Sequence, residues 1–160
     1  MSHEAASAVR VESLDQEGRG VAHADGKVIF IVGALPGELV TYSTYRKKPS
    51  FELAQVAEVI EASPARVTPQ CAHFGVCGGC VMQHWQTGKY REWKRGLLIA
   101  ALEQARIEAP VEPLVDAHGE GRRRLTLHAR TDQRGVTEVG FATLRAHQLV
   151  GIEQIGRAHV

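Results

Sequence analysis

Aromatic residues make up only 6% of this 160-residue chain, so a core has to be built from Val, Leu, Ile and Ala. No run of apolar residues approaches the roughly 20 that cross a bilayer as a helix, and no membrane partner is expected. The opening Met-Ser-His-Glu-Ala lacks the basic and apolar regions of a secretory signal, which points to the cytoplasm. Neither charge sign is in excess: the formal net charge of +1 excludes a strongly basic arm. The 44% hydrophobic share excludes a disordered chain. There is no internal repeat and no low-complexity tract. The eight histidines are scattered, with no His-x3-His pair. No Ser/His/Asp or paired-carboxylate spacing supports a catalytic site. Gly18-Arg19-Gly20 lacks the third glycine and the βαβ surroundings of a dinucleotide fingerprint, and reads as a turn.

Cysteine is scarce too, but all three copies fall within ten residues: Cys71, Cys77 and Cys80, spaced C-x5-C-x2-C. In a chain without an export signal, clustered thiols favour a metal over disulfides. Gly78-Gly79 allows a tight bend, so that backbone N–H groups can approach anionic sulfur. Four readings compete: an iron–sulfur cluster lacking one ligand, a Cys3His zinc site recruiting His73 or His84, a Cys77/Cys80 redox dithiol, and inert thiols. The redox reading lacks the βαβ start of thioredoxin-like proteins. Iron–sulfur clusters and structural zinc both want four ligands, so the fourth is the open question.

Residues 8–62 read as five short strands with glycine-rich turns. Val9 and Val11 share one face of the run Ala8–Leu14, Asp25-Gly26 is a hairpin signal, and Lys27–Val32, Leu39–Tyr45 and Ala54–Ile60 are strands. This pattern predicts a small closed barrel of the OB type. Residues 63–86 hold a Pro-containing linker and the cysteine segment. A helix follows over Thr87–Arg106, with Tyr90, Trp93, Leu97, Ala100 or Ala101, and Ile99 or Leu102 as an apolar stripe and prolines beyond its end. Residues 87–154 combine this helix with a small antiparallel β domain, strands falling at Arg124–Arg130, Val136–Phe141 and Gln148–Ile152. The fold class is mainly β with one long helix (α+β).

Two basic runs stand out, Arg46-Lys47-Lys48 and Arg122-Arg123-Arg124. In the strand 124–130, Leu125, Leu127 and Ala129 alternate with Arg124, Thr126, His128 and Arg130. One apolar and one basic face is what a phosphate-facing sheet requires. The candidate RNA contacts are therefore Arg46, Lys47, Lys48, Arg122, Arg123, Arg124 and Arg130, with Tyr42 or Tyr45 as stacking faces. On the residues alone, one reading is a stand-alone OB-type RNA-binding module with a zinc knuckle and no catalytic activity; another is a redox or metal sensor.

Several stretches resemble bacterial RNA (uracil-5-)-methyltransferases, which make 5-methyluridine in ribosomal RNA. They are Val11–Val21, Ala34-Leu-Pro-Gly-Glu38, Ser63–Pro69, Cys71–His84, the Tyr90…Lys94 pattern, and Gly121–Arg124 with Gly140-Phe141. The resemblance spans about residues 8–153 and is most specific in the cysteine segment. It implies a TRAM domain at 1–62, and Cys71, Cys77 and Cys80 as ligands of a [4Fe–4S] cluster. The implied RNA partner is 23S rRNA, with tRNA as the alternative, and the chain would be a monomer. The family's fourth cysteine would fall near Ile155, where there is none, and residues 155–160 depart from the family pattern, as a truncated frame or foreign tail would. The family's S-adenosylmethionine-binding catalytic domain, whose cysteine attacks uracil C6, has no counterpart here. No catalytic residue is assigned, and this piece alone is expected to be inactive.

Overall fold

The computed structural model describes residues 8–116, 126–144 and 148–151. The chain divides into two compact units: Met1–Arg66 with His84–Lys89, and Val67–Gln83 with Tyr90–Val160. The expected class holds, mainly strand with a single α-helix among the described residues.

The first unit is one curled sheet of β1 (Ala8–Arg10), β2 (Ser13–Leu14), β3 (Gly20–Ala24), β4 (Lys27–Val32), β5 (Leu39–Lys47) and β6 (Phe51–Glu61). Their order is β1-β5-β6-β4-β3-β2, with β4 and β6 parallel and every other pair antiparallel. The two edge strands are separated in sequence by only Val11 and Glu12, so the sheet must curl to bring its edges within that short reach. The Val11 amide donates to the Glu38 carbonyl and the Glu12 amide to the Val21 carbonyl, carrying the chain from one edge to the other. The expected closed barrel is thus corrected: no closed barrel is found, and among the described residues no ladder joins β1 to β2. The predicted run 8–14 splits into two short strands because its ends pair with different neighbours.

Local chemistry sets the turns. Asp25 and Gly26 take φ of 50° and 73°, the left-handed pair of a tight hairpin, and Ala24 pairs with Lys27 across it. Gly20 answers a different need: a Cβ there would lie 2.8 Å from Ala34 Cβ and 2.9 Å from Val11 Cγ1. Inside the curl pack Val9, Val11, Ala22, Ile29, Ile31, Ala34, Val40 and Ala54, as the shortage of aromatics requires. Burying each isoleucine contributes about 2 kcal/mol.

The helix α1 (Thr87–Gln104), which belongs to the second unit from Tyr90 on, ends two residues before the predicted Arg106. Arg106 turns to φ 56°, and the Ile107 amide donates to the Leu102 carbonyl while the Arg106 amide donates to that of Glu103. This is a Schellman stop with arginine in the place glycine usually takes. The strands β7 (His128–Thr131), β8 (Thr137–Ala142) and β9 (Leu149–Gly151) form an antiparallel meander. All four residues of β7 are exposed, and just before it Leu127 is half-buried between exposed Thr126 and His128. Arg124 and Leu125, at the start of the expected strand, lie outside the described residues.

Candidate nucleic-acid interface

The first sheet has a wet face as well as a packed one. Because Ile29 and Ile31 of β4 point into the core, Val28, Phe30 and Val32 point outward and stay half-buried. The parallel neighbour β6 sets Phe51 beside Val28 and Leu53 beside Phe30. The Phe30 and Phe51 rings meet edge to face, centroids 6.0 Å apart at 76°. The Arg19 guanidinium lies over Phe30, 4.9 Å from its centroid. Asp15 holds that guanidinium through Nε at 2.7 Å and Nη2 at 2.6 Å, and accepts the Arg19 amide as well.

Arg46, Lys47 and Lys48 are all exposed, and they lie together where β5 runs out. Arg46 and Lys47 extend the strand past the predicted end at Tyr45, with Arg46 opposite Leu53 and Lys47 opposite Glu52. Glu52 is already engaged: Thr44 donates to it at 2.9 Å and Lys27 at 3.3 Å. The Thr44 hydroxyl, aided by Lys27 and the charge of Lys47 against the opposing effect of burial, holds its carboxyl below the ordinary range. Tyr45 is exposed, and Tyr42 is half-buried and packed against the core. Burial, then the charges of Glu52 and Asp25, push its hydroxyl up.

Where the sheet gives way to the linker, Glu38 is fully buried. Its carboxylate accepts the Leu35 amide at 2.8 Å, the Ser63 amide at 3.1 Å, and Arg66 Nε and Nη2 at 2.6 and 2.7 Å. Arg66 also donates to the Gly33 carbonyl. Burial would raise the Glu38 carboxyl, but Arg66 and the two amides outweigh it and hold the group below its ordinary 4.5. An isolated bridge then joins Arg66 to Trp85, and the Gln86 amide donates to the Ala65 carbonyl. The chain thus leaves this unit at Arg66 and re-enters it at His84. Burial first, then the Arg66 charge, push the His84 imidazole down to about 4 against the opposing pull of Glu38.

In the second unit, Cys71 is exposed and Cys77 and Cys80 are half-buried, and none of the three is in a disulfide. Their segment is stitched to the end of β8: Cys77 bridges Thr143, the Gly78 amide donates to the Ala142 carbonyl and the Leu144 amide to that of Val76. A Cβ at Gly78 would sit 3.1 Å from the Ala142 oxygen, a tight contact that a side chain there would have to push back by a few tenths of an ångström. The Gly79 amide donates to Cys77 Sγ at 3.3 Å, the kind of contact that steadies a thiolate. Donor chemistry therefore suits thiolate ligation. The arrangement does not fit a closed site: among the described residues no three His, Cys, Asp or Glu side chains gather where they could hold a metal ion. His84, one of the two histidines a zinc site could recruit, is buried in the first unit. Arg130 is an exposed residue of β7, and Arg122, Arg123 and Arg124 lie outside the described residues.

Residues 7–41, from the first strand into β5, match the TRAM domain. The chain carries a TRAM domain. Its similarity extends well past that domain. A 23S rRNA (uracil(1939)-C(5))-methyltransferase RlmD of Nitrosospira multiformis is 50% identical over 143 residues, covering 86% of this chain and 32% of that protein. Proteins of the same description from Chromobacterium violaceum and Halomonas elongata are 47% identical over 135 residues (82% of this chain, 26% of that protein) and 42% identical over 146 residues (89% and 30%). The chain spans only 26–32% of the length of these curated relatives. No described helix is long and apolar enough to cross a membrane.

Sequence reasoning missed the Phe30–Phe51–Arg19 group of the TRAM sheet and the Glu38–Arg66 pair. The signals were present but ambiguous. Val-Ile-Phe-Ile-Val reads as apolar throughout, so nothing in it says which face Phe30 takes. Glu38 and Arg66 each sit in a turn-like stretch, and only the fold brings Ala34–Glu38 against Ser63–Arg66.

Proposed function

We propose that this chain is the N-terminal RNA-binding part of an S-adenosylmethionine-dependent RNA methyltransferase that methylates uracil C5, with 23S rRNA as its substrate. The observation that carries the reading is the 50% identity over 86% of the chain to an enzyme of that description, with a TRAM match at its start. The exposed Arg46-Lys47-Lys48 run supports it, as a patch that can neutralise phosphates without making the whole chain basic. Arg130, together with Arg122, Arg123 and Arg124, would add phosphate contacts from the second unit. S-adenosylmethionine and the residues that transfer the methyl group belong to the rest of the enzyme, and this chain alone is inactive in that reading.

Cys71, Cys77 and Cys80 would be thiolate ligands of a [4Fe–4S] cluster, a reading supported by their spacing and by the Gly79 N–H contact to Cys77. The cluster would organise the segment, and no chemical step on uracil is assigned to it.

Binding of the chain to a 23S rRNA fragment containing uridine 1939, the position named in the relatives, tests the RNA reading. Affinity should fall steeply with salt, and replacing Arg46, Lys47 and Lys48 with glutamine should cut that slope by about three phosphate contacts. Salt-independent binding, or none, would sink it. Anaerobic purification followed by iron, sulfide and zinc analysis tests the cluster; zinc without iron and sulfide rules it out.

A further inference from the structure

We propose that the outer face of the TRAM sheet carries a nucleobase-stacking subsite for single-stranded RNA, formed by Phe30 and Phe51 with Arg19 laid over Phe30. The inference rests on the RNA-binding reading above and adds which face and which side chains take a base.

Phe30 and Phe51 lie on the face of the sheet opposite the core residues Ile29, Ile31 and Ala54. Phe30 and Phe51 stay half-buried on adjacent central strands, with Val21, Val28 and Leu53 around them on the same face. Their edge-to-face packing makes a corner, so a base can lie flat on one π surface and abut the other. Arg19 adds a guanidinium plane, a second kind of surface on which bases stack. Its two bonds to Asp15 hold that plane in place before any ligand arrives, which lowers the entropy lost on binding.

Charge selects the occupant. Arg46 shares a cross-strand row with Leu53 and Phe30, and Lys47 and Lys48 follow it, all exposed. The nearby carboxylates are committed: Asp15 and Glu17 to Arg19, Glu52 to Thr44 and Lys27. Aromatic faces with exposed cations at the end of their row match a strand of exposed bases on a phosphate backbone. A duplex does not fit, because its bases already stack on one another.

The test uses the whole 160-residue chain and a fluorescent single-stranded oligouridine, alongside a matched oligonucleotide with abasic positions. Phe30→Leu and Phe51→Leu keep apolar bulk and remove the π face. Each should weaken binding by about 5- to 100-fold without changing the salt slope. Wild type should bind the abasic strand about as weakly as the variants bind the intact one. Arg46→Gln should do the opposite, lowering the salt slope by about one contact with base dependence retained. As a readout that needs no variant, photocrosslinking of 5-iodouridine RNA to wild type should label peptides containing Phe30 or Phe51. Wild-type affinity in both leucine variants, equal binding of the abasic strand, or crosslinks confined to other peptides would overturn the subsite while leaving RNA binding intact. A wild-type chain that binds no RNA would overturn both.

Discussion

Replacing Glu38 tests whether a single buried carboxylate fastens the linker to the TRAM sheet. Four N–H groups converge on it, two from Arg66 and two from the backbone of Leu35 and Ser63. Glu38→Ala leaves the two amides without their acceptor and the guanidinium without its counter-charge. Breaking a buried ion pair costs about 3–5 kcal/mol. Arg66 keeps 24% of its side-chain exposure and its bond to the Gly33 carbonyl, so water can partly replace the lost partner. We therefore expect the lower end, about 3 kcal/mol, a large part of the 5–15 kcal/mol that holds a domain folded. Residue-resolved amide exchange is the right assay, because it reports the first unit without averaging over the second. Protection at Ile29 and Ile31 should drop roughly a hundredfold.

The pH dependence separates the charge from mere packing. The folded Glu38 carboxyl titrates below its ordinary 4.5, so the unfolded chain takes up the proton first as pH falls. The stabilisation is complete above about 4.5 and is lost as pH drops through the lowered folded value. Glu38→Gln retains the shape, cannot ionise, and should lack that leg of the curve. A loss under about 0.5 kcal/mol in Glu38→Ala, or an unchanged acid leg in Glu38→Gln, would refute the reasoning.

Other consequences are open to simpler measurements. His84 should stay neutral in the fold down to about pH 4, so stability should decline from about 6.5 to about 4 by up to about 3 kcal/mol, and His84→Leu should flatten that decline in pH-dependent urea melts. Gly20→Ala forces a methyl against Ala34 and Val11 and should cost about 1–3 kcal/mol; an unchanged melting temperature would mean that the curl opens easily there. Arg106→Gly should relieve the left-handed stop of α1 and stabilise it by about 0.5–1 kcal/mol, read as a higher helix melting temperature; a lower one would mean that the arginine side chain earns its place by other contacts.

What the sequence revealed depended on whether the deciding interaction was local. Asp25-Gly26 and the strand Lys27–Val32 were readable because a two-residue turn and one run of apolar residues specify them, and they occur where predicted. The helix was readable in its stripe but not in its stop, since arginine in a left-handed position carries no sequence mark. The closed barrel was inferred from strand count and turn spacing, yet closure depends on which edges pair, and here one short run serves both edges. For the candidate site, exposed Arg46–Lys48 were visible as a charge run. The aromatic corner was not, because choosing a face for Phe30 requires knowing the two-sidedness of the whole sheet.

A cysteine segment serves one centre more readily when its two ends are held together. Residues 67–83 leave and re-enter the first unit between Arg66 and His84, and the Arg66–Trp85 bridge ties the flanks together. Closing a loop at its base removes much of the entropy that ligands must otherwise lose when a metal gathers them. The Glu38–Arg66 pair anchors one side of that base. A cluster bound through Cys71, Cys77 and Cys80 should therefore be coupled to Glu38: loss of the carboxylate should loosen the loop's base and lower iron retention, although Glu38 is no ligand. Reconstituting wild type, Glu38→Ala and Glu38→Gln with iron and sulfide, and following chelator-driven loss of absorbance, tests the coupling. The alanine variant should release its iron fastest; equal rates in all three would show that the segment organises itself without its anchor.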